Sequence, residues 1–320
     1  MSDEHPDRIR VLTTLPAGLL DRVCQTLPFV DVVASPGDAP PPAGTRADVL
    51  LIPPWEPPHF DALLATGVRW IHTVGTGVDR LPLARLGDRV LSCSRGASGI
   101  PIAEWVMAAL LAYAKDLPAI WLDAAPDPET AAWPRLGGLY GAHLGLVGLG
   151  GIGAAVARHA HSFGMRISAC RRSGARSELP GVEIVDDLAS LFATCDAIVL
   201  ALPLTPATRR IVDASVFDAI PAGRGLHLVN VSRGGLIDQD ALRPALDDGR
   251  IARATLDVTE PEPLPAGHWL YSHPAARISA HVSWNAPGAL DLLLDTFIEN
   301  LRRHRAGLPL SGLVDRDAGY

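Results

Sequence analysis

Arg233, Glu262 and His281 are three side chains whose types together suit acid–base chemistry on a small anion. Each comes at or soon after the end of an apolar, strand-like run. Arg233 follows Leu226-His-Leu-Val-Asn-Val231, Glu262 follows Arg253-Ala-Thr-Leu-Asp257, and His281 closes Arg277-Ile-Ser-Ala-His281. In an open α/β sheet the carboxyl ends of the strands face the ligand crevice, so the three are expected at one edge. Arginine holds a carboxylate or carbonyl oxygen with its fork of donors. Histidine gives and takes a proton near neutral pH, and a neighbouring carboxylate orients its ring and favours its charged form. Taken singly, each residue has a plainer reading. An arginine after a strand resembles a surface ion pair, Thr259-Glu-Pro-Glu-Pro-Leu-Pro265 a rigid acidic loop, and His281 is one of eleven histidines.

A cofactor signature gives the three a common purpose. Leu144-Gly-Leu-Val-Gly-Leu-Gly-Gly-Ile-Gly153 reads as a buried strand, a glycine turn and the start of a helix running from Ile152 to Phe163. Gly148, Gly150 and Gly153 stand in the order G-x-G-x-x-G. That order allows a tight turn, close approach of a pyrophosphate to backbone N–H groups, and close helix–strand packing. The helix N-terminus then faces the phosphates with its partial positive charge. Hydride transfer to a 2-oxo acid needs the carboxylate held, the carbonyl polarised and a proton supplied. The three side chains offer those functions.

The second strand of the cofactor sheet predicts which dinucleotide is preferred. An NAD site places Asp or Glu at its end, to accept from the ribose 2′-OH. Here Ile167-Ser-Ala-Cys170 runs into Arg171-Arg-Ser-Gly174. Arg171 at the acid position removes a repulsion and supplies a partner for a 2′-phosphate, with Arg172 and Ser173 adding to the contact. NADP is the expected preference, with NAD possible.

These residues need parallel sheets to position them. In the first part of the chain Arg10–Leu15, Phe29–Val33, Asp48–Ile52, Trp70–Val74 and Val90–Cys93 read as strands, with a helix over Pro16–Leu27. After a long helix over Pro101–Lys115 and a patternless Asp116–Leu139, the glycine strand opens a second series: Met165–Cys170, Val182–Val185, Ala197–Leu202 and the three runs named above. A helix over Asp291–Arg305 would return to the first domain. Apolar runs of this length suit sheets covered on both faces. The expected fold is α/β: two Rossmann-like, flavodoxin-like doubly wound parallel sheets with a cleft between them. Residues 1–97 plus 285–320 would bind substrate, and residues 98–284 the dinucleotide.

At 320 residues the chain is long enough for two domains. A net charge of −7 argues against a nucleic-acid surface. No apolar run is long enough to span a membrane, and the polar, acidic start is not expected to be a targeting peptide. Cys24, Cys93, Cys170 and Cys195 form no C-x-x-C pair and lie in or beside apolar segments, so buried, reduced thiols and a cytoplasmic protein are expected. No metal site is expected.

With these stretches in hand, the chain resembles the D-isomer-specific 2-hydroxyacid dehydrogenases. The resemblance covers nearly the whole chain and is strongest from Leu139 to His281. It is carried by Gly145–Gly153, Val229-Asn-Val-Ser-Arg-Gly-Gly-Leu-Ile-Asp238, Leu256-Asp-Val-Thr-Glu-Pro-Glu-Pro-Leu-Pro265 and Ser279-Ala-His-Val-Ser-Trp284. The spacing of Arg233, Glu262 and His281 also fits the family. The resemblance implies that Arg233 binds and polarises the oxo acid, that His281 is the general acid for reduction and general base for oxidation, and that Glu262 holds His281. It implies a substrate-carboxylate loop at Thr73-Val-Gly-Thr-Gly-Val-Asp79, with Thr76 and Gly77 as N–H donors. It places Gly151 and Ile152 at the pyrophosphate, Leu202, Pro203 and Val231 along the cofactor path, Asp257 at the carboxamide and His281 to Trp284 at the nicotinamide end. Trp284 replaces the small residue often found there, and is expected to narrow or reshape the pocket. Family members are usually dimers through the cofactor domain, here by the Pro101 helix and the loop after it.

The implied activity is NADPH-dependent reduction of a small 2-oxo acid, glyoxylate or hydroxypyruvate first, to a D-2-hydroxy acid. Two alternatives stand beside it: a dehydrogenase of another small anion such as phosphite on the same scaffold, and a dinucleotide-sensing protein without turnover. A formate enzyme would be expected to carry Gln in place of Glu262, and a pure sensor does not need all three polar residues.

Overall fold

The computed structural model describes residues 8–35, 39–125, 135–172, 177 and 179–320. The chain divides into two compact units, Met1–Ser98 with Pro287–Tyr320, and Gly99–Ala286.

In the first unit five short runs of Val, Leu and Ile form strands: β1 (Ile9–Thr13), β2 (Val30–Ala34), β3 (Val49–Ile52), β4 (Trp70–Thr73) and β5 (Val90–Cys93). All pairs are parallel and the order is β2-β1-β3-β4-β5, the flavodoxin-like winding. The period-two alternation sorts the side chains onto two faces. Leu50, Ile52 and Ile71 pack with Phe60, Leu63 and Leu64 of a short helix, Phe60–Leu64. Val49, Leu51 and Trp70 pack with Phe297, Ile298 and Leu301 of the C-terminal helix Ala289–Arg305. Phe297 is fully buried, which contributes roughly 1.5–3 kcal/mol. The helix expected over Pro16–Leu27 is instead a 3-10 turn, Ala17–Leu20, followed by a short α-helix, Asp21–Thr26. Gly18 in the first turn, about 1 kcal/mol poorer than Ala, weakens a continuous helix. The free edge of β5 is covered by the chain's end: Cys93 N donates to Gly312 O at 2.9 Å and Val314 N to Leu91 O at 3.0 Å.

The second unit begins with a long helix, Gly99–Ala114, and continues through β6 (His143–Val147), the helix Gly151–Ser162, β7 (Arg166–Cys170), β8 (Val182–Ile184), β9 (Ala197–Leu200), β10 (Leu226–Asn230), β11 (Ile251–Leu256) and β12 (Ala276–Ile278). All pairs are parallel, in the order β12-β11-β10-β9-β6-β7-β8. The winding reverses between β6 and β9, so the carboxyl ends of those two strands mark the ligand-binding position of a Rossmann sheet. One face is filled by Leu144, Leu146, Ile167 and Val199 against the Gly99 and Gly151 helices, the other by Val147, Ile198, Leu228 and Leu256. Helices Leu188–Thr194, Ala214–Asp218 and Gln239–Asp247 are each capped by an Asp side chain, Asp187, Asp213 and Asp238. The last strand stops at Ile278 rather than reaching His281. Cys93 and Cys195 are buried, Cys170 is half-buried, and Cys24 is exposed, against the expectation of buried thiols throughout.

Candidate active site

The glycine turn sits at the reversal of the sheet. Gly148 leaves β6 with φ +97°, a conformation L side chains rarely adopt, and a Cβ there would come within 2.5 Å of the Ala201 carbonyl oxygen beyond β9. A Cβ on Gly153 would run into the Gly148 carbonyl oxygen. Gly150 differs: its backbone is extended and a Cβ there would meet nothing within 4 Å. The outer glycines are thus required by the turn, whereas the middle one leaves a cradle open above the backbone. Gly150 caps the helix without a side-chain hydrogen bond, and Gly150 and Gly151 are exposed, with Ile152 half-buried behind them. Helical N–H groups left this way suit a pyrophosphate. Arg171, half-buried, stands directly beyond β7, and Arg172 is exposed beside it; Ser173 lies outside the described residues. Beyond β9, Leu202 is half-buried and Pro203 exposed, whereas the Val231 side chain is buried in the core beneath the Gly99 helix.

His281 and Glu262 meet across 19 residues of sequence, Nδ1 to Oε1, at 2.8 Å. The carboxylate only accepts, so Nδ1 carries the hydrogen and the ring's Nε2 is left for chemistry. Both side chains remain accessible, at 38% and 35%. His281 is held with φ 55°, in the left-handed region where a non-glycine residue costs about 1–2 kcal/mol. The turn around it is fixed from several sides. His281 N donates to Asp257 O at 2.9 Å, and Trp284 Nε1 donates to His281 O at 3.0 Å. The Asp257 carboxylate, 1% exposed, accepts from Ser279 Oγ at 2.6 Å and from Val282 N and Ser283 N at 2.9 Å. The sequence marked Asp257 for the cofactor carboxamide. In the structure its oxygens brace the turn that carries His281.

Arg233 stands just beyond β10, half-buried, with Nη1 donating to Ser232 O at 2.8 Å. Buried Asn230 closes this loop: its Nδ2 donates to Arg233 O at 2.8 Å and its Oδ1 accepts from Ser232 N at 3.0 Å. Gly234 packs so tightly on the Thr259–Glu260 backbone that a Cβ would overlap it. Arg209 Nη1 bridges both Glu260 oxygens at 2.7 and 2.9 Å, and Gln239 Nε2 donates to Glu260 O. The loops of Arg233 and Glu262 are therefore packed as one piece. Sequence reasoning missed Asn230, Arg209 and Glu260. For Asn230 a signal existed, a polar residue closing an otherwise apolar strand; for the other two there was none. Thr76, exposed, and Gly77, half-buried, follow β4 in the first unit, and among the described residues their N–H groups have no backbone acceptor.

Residues 107–283 match the family described as "D-isomer specific 2-hydroxyacid dehydrogenase, NAD binding domain". The chain belongs to that family. The matched stretch holds the glycine turn, Arg233, Glu262 and His281. Among relatives, D-3-phosphoglycerate dehydrogenase of Methanocaldococcus jannaschii is 36% identical over 62% of this chain; the chain spans 38% of its length. Glyoxylate/hydroxypyruvate reductase A of Yersinia enterocolitica is 26% identical, covering 86% of this chain and 88% of that protein. Among solved structures, a D-isomer specific 2-hydroxyacid dehydrogenase from Xanthobacter autotrophicus Py2 in complex with NADPH and MES has a TM-score of 0.81 and 28% identity, over 98% of this chain and 100% of that one.

Proposed function

We propose that the protein is an NADP(H)-dependent reductase of small 2-oxo acids, glyoxylate or hydroxypyruvate first, forming D-2-hydroxy acids. The 2.8 Å His281–Glu262 pair carries the reading, because it sits at the carboxyl edge of the sheet whose glycine turn would cradle the dinucleotide. The Xanthobacter relative's bound NADPH supports the same cofactor. The Gly148–Gly153 turn and the helix N-terminus would hold its pyrophosphate, and Arg171, with Arg172 and Ser173, its 2′-phosphate. Bound there, the nicotinamide supplies the hydride. Arg233 holds the acid and draws density from its carbonyl with paired donors. His281 gives the Nε2 proton to the oxygen as charge develops on it, while Glu262 neutralises the imidazolium and keeps the ring in one orientation. In oxidation the same nitrogen removes the proton.

The decisive assay follows NADPH and NADH oxidation with glyoxylate, hydroxypyruvate, pyruvate and phenylpyruvate. Wild-type turnover should favour NADPH, and His281→Ala should lower kcat by about 10²–10⁴-fold while leaving NADPH binding intact. Equal turnover by His281→Ala, or no turnover of any acid by the wild type, would sink the reading.

The same reading includes a homodimer through the cofactor domain. Its support is a set of exposed large side chains after the Gly99 helix, Trp121 at 71%, Leu122 at 73% and Tyr140 at 91%. Sedimentation equilibrium should give twice the chain mass; a monomer mass would exclude the dimer. A cytoplasmic setting belongs to this proposal as well. It rests on four unpaired cysteines, and among the described residues no helix is long and apolar enough to cross a membrane.

A further inference from the structure

A buried chain of hydrogen bonds runs through the first unit to the loop after β4. Trp70 Nε1 donates to Ser92 Oγ at 2.8 Å, Ser92 Oγ meets His72 Nδ1 at 2.8 Å, His72 Nε2 meets Ser94 Oγ at 3.2 Å, and Ser94 Oγ donates to Leu293 O at 3.0 Å. His72, Ser92 and Ser94 are wholly buried and Trp70 is 2% exposed. Proton counting, with the buried ring neutral, fixes every direction. Indole N–H only donates, and each hydroxyl has one hydrogen. Ser94 spends its hydrogen on the Leu293 carbonyl, so it accepts from Nε2–H. Burial pushes the pKa of His72 down to about 3 and keeps the ring neutral, so Nδ1 is the acceptor and Ser92 donates to it. The chain is complete only with His72 neutral, and it ends on the C-terminal helix.

Ser94 is also where this chain meets the candidate carboxylate loop. Its N–H donates to Gly75 O at 3.1 Å, and its carbonyl accepts from Thr76 Oγ1 at 3.2 Å. Gly75 is confined on its other side, since a Cβ there would lie 2.7 Å from Pro54. The backbone preceding Thr76 and Gly77, whose N–H groups have no backbone acceptor among the described residues, is thus pinned by a residue that faces no solvent itself.

We propose that Ser94, oriented by the Trp70–Ser92–His72 chain, is a positioning residue that sets the Gly75–Gly77 loop for the carboxylate of the 2-oxo acid. The inference rests on the reading of Thr76 and Gly77 as carboxylate donors. Loss of the Ser94 hydroxyl leaves the Nε2–H of His72 and the Leu293 carbonyl without their partner, and the β5 end is free to shift with the loop it holds. The carboxylate donors then lie out of place, while the acid–base pair, which belongs to the other unit, is untouched.

The test uses the full-length enzyme with oxamate, an unreactive 2-oxo acid analogue, as inhibitor. Ser94→Ala should raise the oxamate inhibition constant and the KM for glyoxylate by about tenfold, with kcat within about twofold and NADPH affinity unchanged. Ser92→Ala breaks the chain one link earlier without touching the loop, and should give the same split to a smaller extent; it carries the test if Ser94→Ala fails to fold. Gly77→Pro deletes one loop N–H and calibrates the site. Wild-type oxamate and glyoxylate constants in both serine variants, beside lost oxamate binding in Gly77→Pro, would overturn the role of Ser94 alone. Wild-type oxamate binding by Gly77→Pro would instead overturn the carboxylate reading of the loop, and this inference with it. A fall in kcat and NADPH affinity equal to the rise in KM would show a general structural defect and would also overturn it.

Discussion

At the scale of single residues, what separates His281 and Arg233 of the candidate site from surface groups is that fixed neighbours hold them. Glu262 keeps His281 in one tautomer, and Trp284 and Asp257 keep its backbone in a left-handed turn. Arg171 is the residue on which cofactor choice should turn. A charge-assisted hydrogen bond contributes about 1.5–3 kcal/mol, so Arg171→Asp should lower the ratio of kcat/KM for NADPH over NADH by about ten- to a hundredfold. On that proposal the replacement would both delete the partner of a 2′-phosphate and introduce an acceptor for a ribose 2′-OH. An unchanged ratio in steady-state kinetics with both cofactors would show that Arg171 does not touch the 2′ position.

At the scale of elements, the strand–turn–helix unit at β6 separates two demands that the G-x-G-x-x-G pattern merges. Gly153 is required by packing and Gly150 is not. Gly153→Ala should therefore destabilise the protein, by about 1–3 kcal/mol for an overpacked site, and weaken NADPH binding. Gly150→Ala, in an extended backbone with open space around it, should leave the melting temperature of the apo protein within about a degree while weakening NADPH binding clearly. Thermal melts with and without NADPH check both. If Gly150→Ala binds NADPH as the wild type does, no phosphate approaches that backbone closely.

At the scale of the whole molecule, each unit buries a histidine within its own sheet. His72 on β4 and His227 on β10 both have their pKa pushed down to about 3, chiefly because burial penalises the charged ring; Arg253 lowers His227 further. The unfolded chain binds a proton at each position below about pH 6.5, whereas the folded chain does so only near pH 3. Stability contributed by the neutral rings is therefore present above about pH 6.5 and is lost as the pH falls towards 3, by up to about 1.4 kcal/mol per pH unit for each histidine. Urea midpoints should fall steadily from pH 7 to pH 4, and His227→Gln, which keeps a polar group for Thr255, should flatten the slope. A midpoint independent of pH over that window would show that neither ring stays neutral on folding.

The sequence by itself determined the strands, because a strand covered on both faces must be a short apolar run and this chain separates such runs with glycine and proline. It also determined the glycine turn and named the candidate acid–base residues, since such chemistry is written in residue type. Strand ends and short helices were less legible. His281 continues the apolar pattern of β12 in sequence, yet lies in a left-handed turn held by its N–H on the Asp257 carbonyl and by the Trp284 indole on its own carbonyl. Only the tertiary structure decided which polar residues meet around the candidate site. Asn230, Arg209 with Glu260, and the Trp70–Ser92–His72–Ser94 chain join segments 3 to 199 residues apart. A hydrogen bond depends on where two strands end in space, and a one-dimensional pattern of apolar residues specifies the sheet without specifying which of its buried polar groups will meet.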